Sequence, residues 1–312
     1  MSGTAWRVSA ALVAAVLPLG CDSGDSSDPA RDRASSETAP TARPAPRATL
    51  CTRLRARPTG RVATAAATEL SGLALSNSQA GVLWTHNDSG DRARLFAVAP
   101  DGRLLADVAV TGAEHLDWED MAVGPGDTLY VGDIGDNAAK RSTVVVYRVR
   151  EPRLAGGAPA ATAPAERLTL RYPDRPRDAE ALLVDPSSGA VVIVTKSFGG
   201  VAGVYVVDDP GGNTTTTMRR AGRVSLGIGE AVTAGAVSAD GRTIVLRTYD
   251  RAFVWPRRRG ESLASALRRR PCAVRADLLA EGQGEALALS RDGRAFYTVP
   301  EGGRPALRRY AP

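Results

Sequence analysis

Glu119-Asp120-Met121-Ala122-Val123, Glu180-Ala181-Leu182-Leu183-Val184 and Glu285-Ala286-Leu287-Ala288-Leu289 are three versions of one phrase in a 312-residue chain. Each opens on an acid, doubled by Asp120 in the first, and continues in small and apolar residues. Ser71-Gly72-Leu73-Ala74-Leu75 and Thr233-Ala234-Gly235-Ala236-Val237 repeat the apolar run without the acid. The five begin at 71, 119, 180, 233 and 285, at intervals of 48, 61, 53 and 52 residues. Repeats of roughly 40–50 residues built from short apolar strands are the signature of propeller blades, each a four-stranded antiparallel sheet.

The rest of each unit falls into place outward from that phrase. The first unit continues as strands at 82–85, 94–98 and 104–110, the last after a Pro100-Asp101-Gly102 turn. The second continues at 129–132, 143–148 and 166–171, the third at 191–195, 203–207 and 218–226, and the fourth at 243–247, 252–255 and 272–279. Pro186-Ser187-Ser188-Gly189, Asp240-Gly241 and Asp292-Gly293 supply hairpin chemistry between first and second strands. The fifth unit has strands at 295–299 and 306–310 and lacks an outer one, which 57–67 is expected to provide, closing the ring. The expected fold is all-β: a β-propeller of about five four-stranded blades, or six if the long 119–180 interval hides two units. Regular spacing sets this apart from a β-sandwich.

Composition agrees. The 32 Gly and 20 Pro argue against a helical bundle, while 43% hydrophobic and 24% charged residues describe a chain that folds. Two His and three Cys nearly exclude a His/Cys zinc site. The net charge of +6 is carried by arginine, with lysine only at 140 and 196. Basic residues are scattered apart from Arg257-Arg258-Arg259 and Arg268-Arg269-Arg270, and no nucleic-acid motif accompanies them, so nucleic acid is not an expected partner.

Residues 1–20 read as a signal peptide: Arg7 precedes an apolar stretch at 8–19 that is too short to span a bilayer. The stretch ends in Leu17-Pro18-Leu19-Gly20-Cys21, which resembles a bacterial lipobox except that Pro18 replaces the usual aliphatic residue. The resemblance implies a lipid on Cys21 that holds an extracytoplasmic protein at the outer face of the membrane; without the lipid the protein would be secreted. Residues 21–50 lack apolar periodicity and read as a disordered tether, with the propeller domain, expected to be a monomer, at 51–312. Cys51 and Cys272 remain, and in an exported chain they form one disulfide or stay as two buried thiols.

In a propeller the first strand of each blade lines the axis, and the loops before it and after the second strand open on one face. Before the first strands stand Glu69, Asp117, Glu119, Asp178, Glu180 and Glu285. After the second strands come His86, Asn87, Asp88, Asp133 and Asp136, then Lys196, Arg247 with Asp250, and Glu301. Carboxylates gathered this way repel unless compensated. A hard cation with oxygen ligands would do it, as would pairing with Lys196 and Arg247, and the plain alternative is that the acids only tie blades together. Asn87-Asp88-Ser89-Gly90-Asp91 and Asp133-Ile134-Gly135-Asp136-Asn137 read as Asx-turn loops rather than local Ca²⁺ loops. No nucleophile elbow, phosphate loop or His-Glu-x-x-His motif is present. His86 is the candidate general base and His115, beside Glu114, the second; either can equally be structural.

Trp84-Thr85-His86-Asn87-Asp88-Ser89-Gly90, Asp117-Trp118-Glu119-Asp120, Val131-Gly132-Asp133-Ile134-Gly135-Asp136-Asn137 and Asp178-Ala179-Glu180-Ala181 together resemble a family of exported bacterial β-propellers of the WD40/NHL-like kind. That family, matched over about 69–310, is known by fold and export rather than by a reaction. A weaker likeness is to Ca²⁺-dependent propeller hydrolases, the lactonase, phosphotriesterase and phytase-like groups. It implies a central Ca²⁺ held by Asn87, Glu119, Asp133, Glu180 and Glu285. The chain departs from that pattern at Thr233 and Ala234, where an acid is missing, and at Lys196 and Arg247, whose charges suit an anionic substrate group. The expected function is therefore that of a tethered lipoprotein binding a ligand or partner through the acid-rich funnel. The funnel residues are Asp88, Asp117, Glu119, Asp133, Asp178, Glu180, Lys196, Arg247, Glu285 and Glu301. The alternative is a Ca²⁺-dependent hydrolase of esters, lactones or phosphoesters at the same place, with His86 or a carboxylate as base.

Overall fold

A computed structural model describes residues 50–312, apart from 158, 160, 163, 213, 275, 277, 279 and 280. The expected signal peptide, Cys21 and all of the expected tether but Leu50 lie outside the described residues. The chain opens with β1 (Arg55–Arg61) and then builds five blades in sequence order. Blade 1 is β2 (Leu70–Leu75), β3 (Leu83–Asn87), β4 (Arg94–Val98) and β5 (Leu104–Ala109). Blade 2 is β6 (Trp118–Gly124), β7 (Thr128–Asp133), β8 (Val144–Arg150) and β9 (Glu166–Arg171). Blade 3 runs β10 (Ala179–Val184), β11 (Val191–Thr195) and β12 (Val201–Val207). The chain then detours through β13 (Thr216–Thr217), which pairs in parallel with β9 of blade 2, and returns as β14 (Arg219–Ser225). Blade 4 is β15 (Val232–Val237), β16 (Thr243–Thr248), β17 (Ala252–Pro256) and, after α1 (Leu263–Leu267), the short β18 (Cys272–Ala273). Blade 5 is β19 (Gly284–Leu289), β20 (Phe296–Pro300) and β21 (Ala306–Ala311), completed by β1.

The fold is thus the five-bladed propeller that the repeat predicts, closed by an N-terminal strand. Two details differ from the sequence reading. The closing strand begins earlier, at Arg55, and 62–69 becomes the approach to blade 1, with Val62 and Ala67 buried against blade 5. In blade 4 the outer strand stops at Ala273. Its place beside β14 and β17 is shared by α1, which Ser262 caps and whose Leu263, Ala264, Ala266 and Leu267 are buried. A strand as short as β18 leaves little open edge.

Why the inner strands read as continuous apolar runs is visible in the packing. Five apolar clusters exist among the described residues, one at each junction between neighbouring blades. Successive side chains of a strand point to opposite faces, so each inner strand serves two junctions and both faces must be apolar. In β10, Ala181 and Leu183 face blade 4, whereas Leu182 and Val184 face blade 2. The outermost strands carry charge and irregularity instead: β1 holds Pro58 and a register shift between Pro58 and Gly60.

Cys51 and Cys272 are joined, with Cα atoms 5.8 Å apart and a separation of 221 in sequence. The bond ties the lead-in of β1, in blade 5, to β18, in blade 4, so it lies across a blade junction. Closing so long a loop restricts the unfolded chain strongly. The Cys51→Ser/Cys272→Ser double variant is expected to lose about 2–4 kcal/mol of stability in denaturant titration. Amide exchange should accelerate in β1 and β21 more than in β10; equal acceleration everywhere would contradict a seam at that junction.

Candidate functional site

Every inner strand begins with the same irregularity. The pairing of first and second strands shifts register between Leu70 and Leu73, Trp118 and Asp120, Ala179 and Ala181, Val232 and Ala234, and Gly284 and Ala286. The residues held in these bulges are Ser71 with Gly72, Glu119, Glu180, Thr233 and Glu285. A bulge sets an extra residue against its partner strand and re-aims its side chain. Here it gives one buried polar residue per blade, at the same end of each inner strand. Ser71 Oγ donates to the Glu119 carbonyl, and Thr233 Oγ1 donates to the Gly284 carbonyl at 3.0 Å, so these two blades bind the backbone of the next. The other three positions are glutamates. One residue further along, Asp120 accepts from Met121 N, Leu182 N and Gly235 N at 2.8–3.0 Å, pinning the inner strands of blades 2, 3 and 4.

Around the three glutamates the loops add four more acids. Carboxylate oxygens of Glu119, Asp178 and Glu180 lie within 4.8 Å of one another, as do those of Asp88, Asp117 and Glu119, and those of Asp88, Glu285 and Glu301. Glu119 and Asp88 each belong to two groups, which makes one continuous chain of seven carboxylates. Lys196 Nζ pairs with Glu180 Oε1 at its edge. Eight of the ten residues expected in the funnel are therefore brought together.

The other expected residues are engaged elsewhere. Asp133 pairs with Arg141 at 2.7 Å and accepts from Leu116 N. Arg247 is fully buried beneath blade 5, donating to Glu281 Oε2 at 3.2 Å and the Ala286 carbonyl at 3.0 Å. Asn87 uses its whole amide: Oδ1 accepts from Thr68 N and Glu69 N, while Nδ2 donates to Ala66 O and Asp91 Oδ2. Asp136 accepts from Lys140 N and Arg141 N, an Asx-type loop closure. Glu69 accepts from Ser89 Oγ at 3.4 Å, and Asp250 is exposed. His86 is entirely buried, with Nδ1 2.9 Å from the Asn87 carbonyl and its ring edge-on to Trp118 at 5.4 Å. Burial lowers its pKa to about 4. His115 lies tilted against the same Trp118, ring centroids 4.7 Å apart, with Nε2 3.1 Å from the Asn87 carbonyl.

Two site residues escape a search for charge. Tyr249 follows β16 as Asp88 follows β3, Lys196 follows β11 and Glu301 follows β20. Its hydroxyl donates to Glu285 Oε1 at 3.2 Å, and the Lys196 ammonium stands 5.6 Å from its ring. That shared position is the signal that finds it. Gly135 passes so close that a Cβ there would collide with the carboxylates of Glu119 and Asp117. Around the mouth, Leu116, Phe198 and Ile228 stand exposed on loops of the same face.

The electrostatics are those of an uncompensated acid cluster. Burial, and then repulsion from neighbouring acids, pushes Asp88 up to about 7. Burial, hydrogen bonding with Glu285 and its repulsion push Glu301 up to about 9. Burial raises Glu180 to about 8 although Lys196 opposes it, and Glu119 is raised well above the carboxylate range by burial and by Glu180. Burial works against the Lys196 charge, but the adjoining Glu180 carboxylate outweighs it and keeps the ammonium above its ordinary pKa. Glu180 Oε2 and Asp88 Oδ1 are buried without a hydrogen-bond partner. An all-oxygen donor set with unpartnered carboxylate oxygens fits a hard divalent cation.

No family model and no curated protein matches the chain. Many solved chains are similar to it, among them these two. XC5397 from Xanthomonas campestris, described as a gluconolactonase important in glucose secondary metabolic pathways, is 13% identical with a TM-score of 0.49, over 86% of this chain and 93% of that one. A structural-genomics target described only provisionally as a gluconolactonase is 13% identical with a TM-score of 0.45, over 83% and 92%. Likeness this distant carries nothing about reaction or ligand.

A pH dependence follows from the shifts. Carboxyls that titrate below pH 5 in the unfolded chain hold their protons to about 7–9 when folded, so stability declines as pH rises through that window. His86 acts oppositely and lower: its depressed pKa makes stability decline as pH falls from 6.5 to about 4. In EDTA, the thermal midpoint is expected to fall steadily between pH 6.5 and 9, and Glu301→Gln should flatten the alkaline part. A flat wild-type profile would contradict the clustering.

Proposed function

We propose that the mouth binds a hard divalent cation, with Ca²⁺ as the ion to test first, and that the bound ion serves hydrolysis of an ester, lactone or phosphoester. The observation that carries this is the sharing of Glu119 between two carboxylate groups, with the buried, unpartnered oxygens of Glu180 and Asp88 on either side. Carboxylates so placed must be neutralised by protons or by a cation. Glu119, Glu180, Asp88, Asp117 and Glu285 are the residues that would hold the ion, and a bound divalent cation polarises carbonyl and phosphoryl oxygens.

The remaining roles belong to the chain's own groups. Lys196, fixed by Glu180 and the Tyr249 ring, holds a positive charge at the edge of the mouth. His86 is poorly placed to take or return a proton, because its ring is enclosed by Gly72, Trp118 and Asn87. The exposed Phe198, Ile228 and Leu116 offer apolar contact to a bound molecule. The Cys51–Cys272 bond supports a location in an oxidising compartment, in keeping with an exported protein tethered through Cys21.

Thermal melting of the full chain in Ca²⁺ and in EDTA tests the cation. Ca²⁺ at a hundred times its dissociation constant should add about 2.7 kcal/mol of stability, and Glu119→Gln should remove the response. No Ca²⁺-dependent rise in the midpoint would overturn the cation site. A panel of esters, lactones and phosphoesters assayed under the same two conditions tests the reaction. Turnover in Ca²⁺ that disappears in EDTA is expected, and a clear Ca²⁺ shift without turnover would leave a binding mouth and remove the hydrolase.

A further inference from the structure

Beside the acid mouth the charge reverses. A cleft of about 280 Å³ is lined by Arg175, Arg177, Arg220 and Arg223, with Lys196 and Asp178 also on its wall. Arg175 and Arg177 flank Pro176 in the loop before β10. Arg220 and Arg223 come from β14, where a spacing of three would normally send side chains to opposite faces. The register shift of β12 against β14, which leaves Ala221 unmatched between Arg220 and Gly222, brings both arginines to the same cleft. Arg175, Arg220 and Arg223 are exposed and form no ion pair among the described residues. Arg177 pairs with Asp174, yet its Nε is buried without a partner.

Asp178 and Lys196 connect this cleft to the mouth. Asp178 shares a carboxylate group with Glu119 and Glu180, and Lys196 pairs with Glu180. An acid mouth by itself repels anions, whereas guanidinium forks match the oxygens of phosphate and carboxylate groups in a paired geometry. We propose that the cleft is a subsite for an oxyanion, a phosphate or carboxylate group carried by the molecule that occupies the mouth. This rests on the reading of the mouth as the reaction site, and it narrows the substrate class to esters or lactones that bear a negative charge a short distance from the reacting bond.

Calorimetric titration of the full chain in EDTA, at constant ionic strength, with inorganic phosphate and separately with acetate, tests the subsite alone. Saturable binding of at least one anion is expected, and the stronger of the two identifies the group. Binding should weaken tenfold or more in Arg220→Gln/Arg223→Gln, both exposed, and stay unchanged in Arg242→Gln, an exposed arginine outside the cleft. Unchanged melting midpoints show that these variants fold, and Arg175→Gln provides a second reading if the double variant does not. Saturation by neither anion, or equal affinity in the cleft variants, would overturn the subsite. Because the metal is chelated throughout, that failure would leave the Ca²⁺ response standing, and loss of the Ca²⁺ response alone would leave the anion binding standing.

Discussion

The site depends on one backbone device, the bulge at the start of each inner strand. Without it, strict alternation would turn Glu119, Glu180 and Glu285 into the apolar junctions between blades, where a carboxylate has no partner. With it, one residue per blade leaves the alternation and the flanking residues keep their places in the two cores. Trp118 and Met121 stay in the junction with blade 1, and Leu182 and Leu183 stay in the junctions on either side of blade 3. The bulge therefore reconciles a fully apolar inner strand with a polar axis, and it does so five times.

The protein elsewhere shows how it satisfies a buried carboxylate that has only a structural task. Glu151 accepts from Ser78 Oγ, Gln79 Nε2 and Trp84 Nε1, each at 2.8 Å, across the junction of blades 1 and 2. Glu281 accepts from Arg247, Thr298 and Tyr310 where blades 4 and 5 meet. Asp120 has three backbone N–H donors. The mouth carboxylates differ: they face each other, and two buried oxygens have no donor at all. A frame of five interlocked junctions, a closing strand and a disulfide is what can hold these acids at such close quarters. That contrast within one molecule separates the mouth from ordinary packing of polar groups.

Much of this was legible in the residue order. The blade period, the strand positions, the closing strand and the cysteine pair all rest on local patterns that survive folding unchanged. The acids before the first strands were legible for the same reason, because their place in the repeat fixes their place in the ring. The ends of the second strands were legible only in part: Asp88, Lys196 and Glu301 reach the mouth, whereas Asn87 and Asp133 do not. Asn87 and Asp133 have the composition of metal ligands, but whether such a side chain turns to the axis or to its own backbone is decided by neighbours such as Thr68 and Arg141. Arg247 looks like a free cation in the sequence, and only the approach of Gly284 and Glu281 reveals it as a buried brace. Tyr249 carries no charge, and only its place directly after the second strand of its blade marks it. The early end of β18 reflects a helix, α1, that covers the same ground.

The central claim is that far-separated acids share one ion-sized place on the axis. Anomalous diffraction from a crystal grown with Mn²⁺ would locate that place directly. A single strong peak bonded to Glu119, with Glu180 or Asp88 also in coordination, is the result this account requires. Peaks confined to surface carboxylates, with the mouth holding only water, would contradict it.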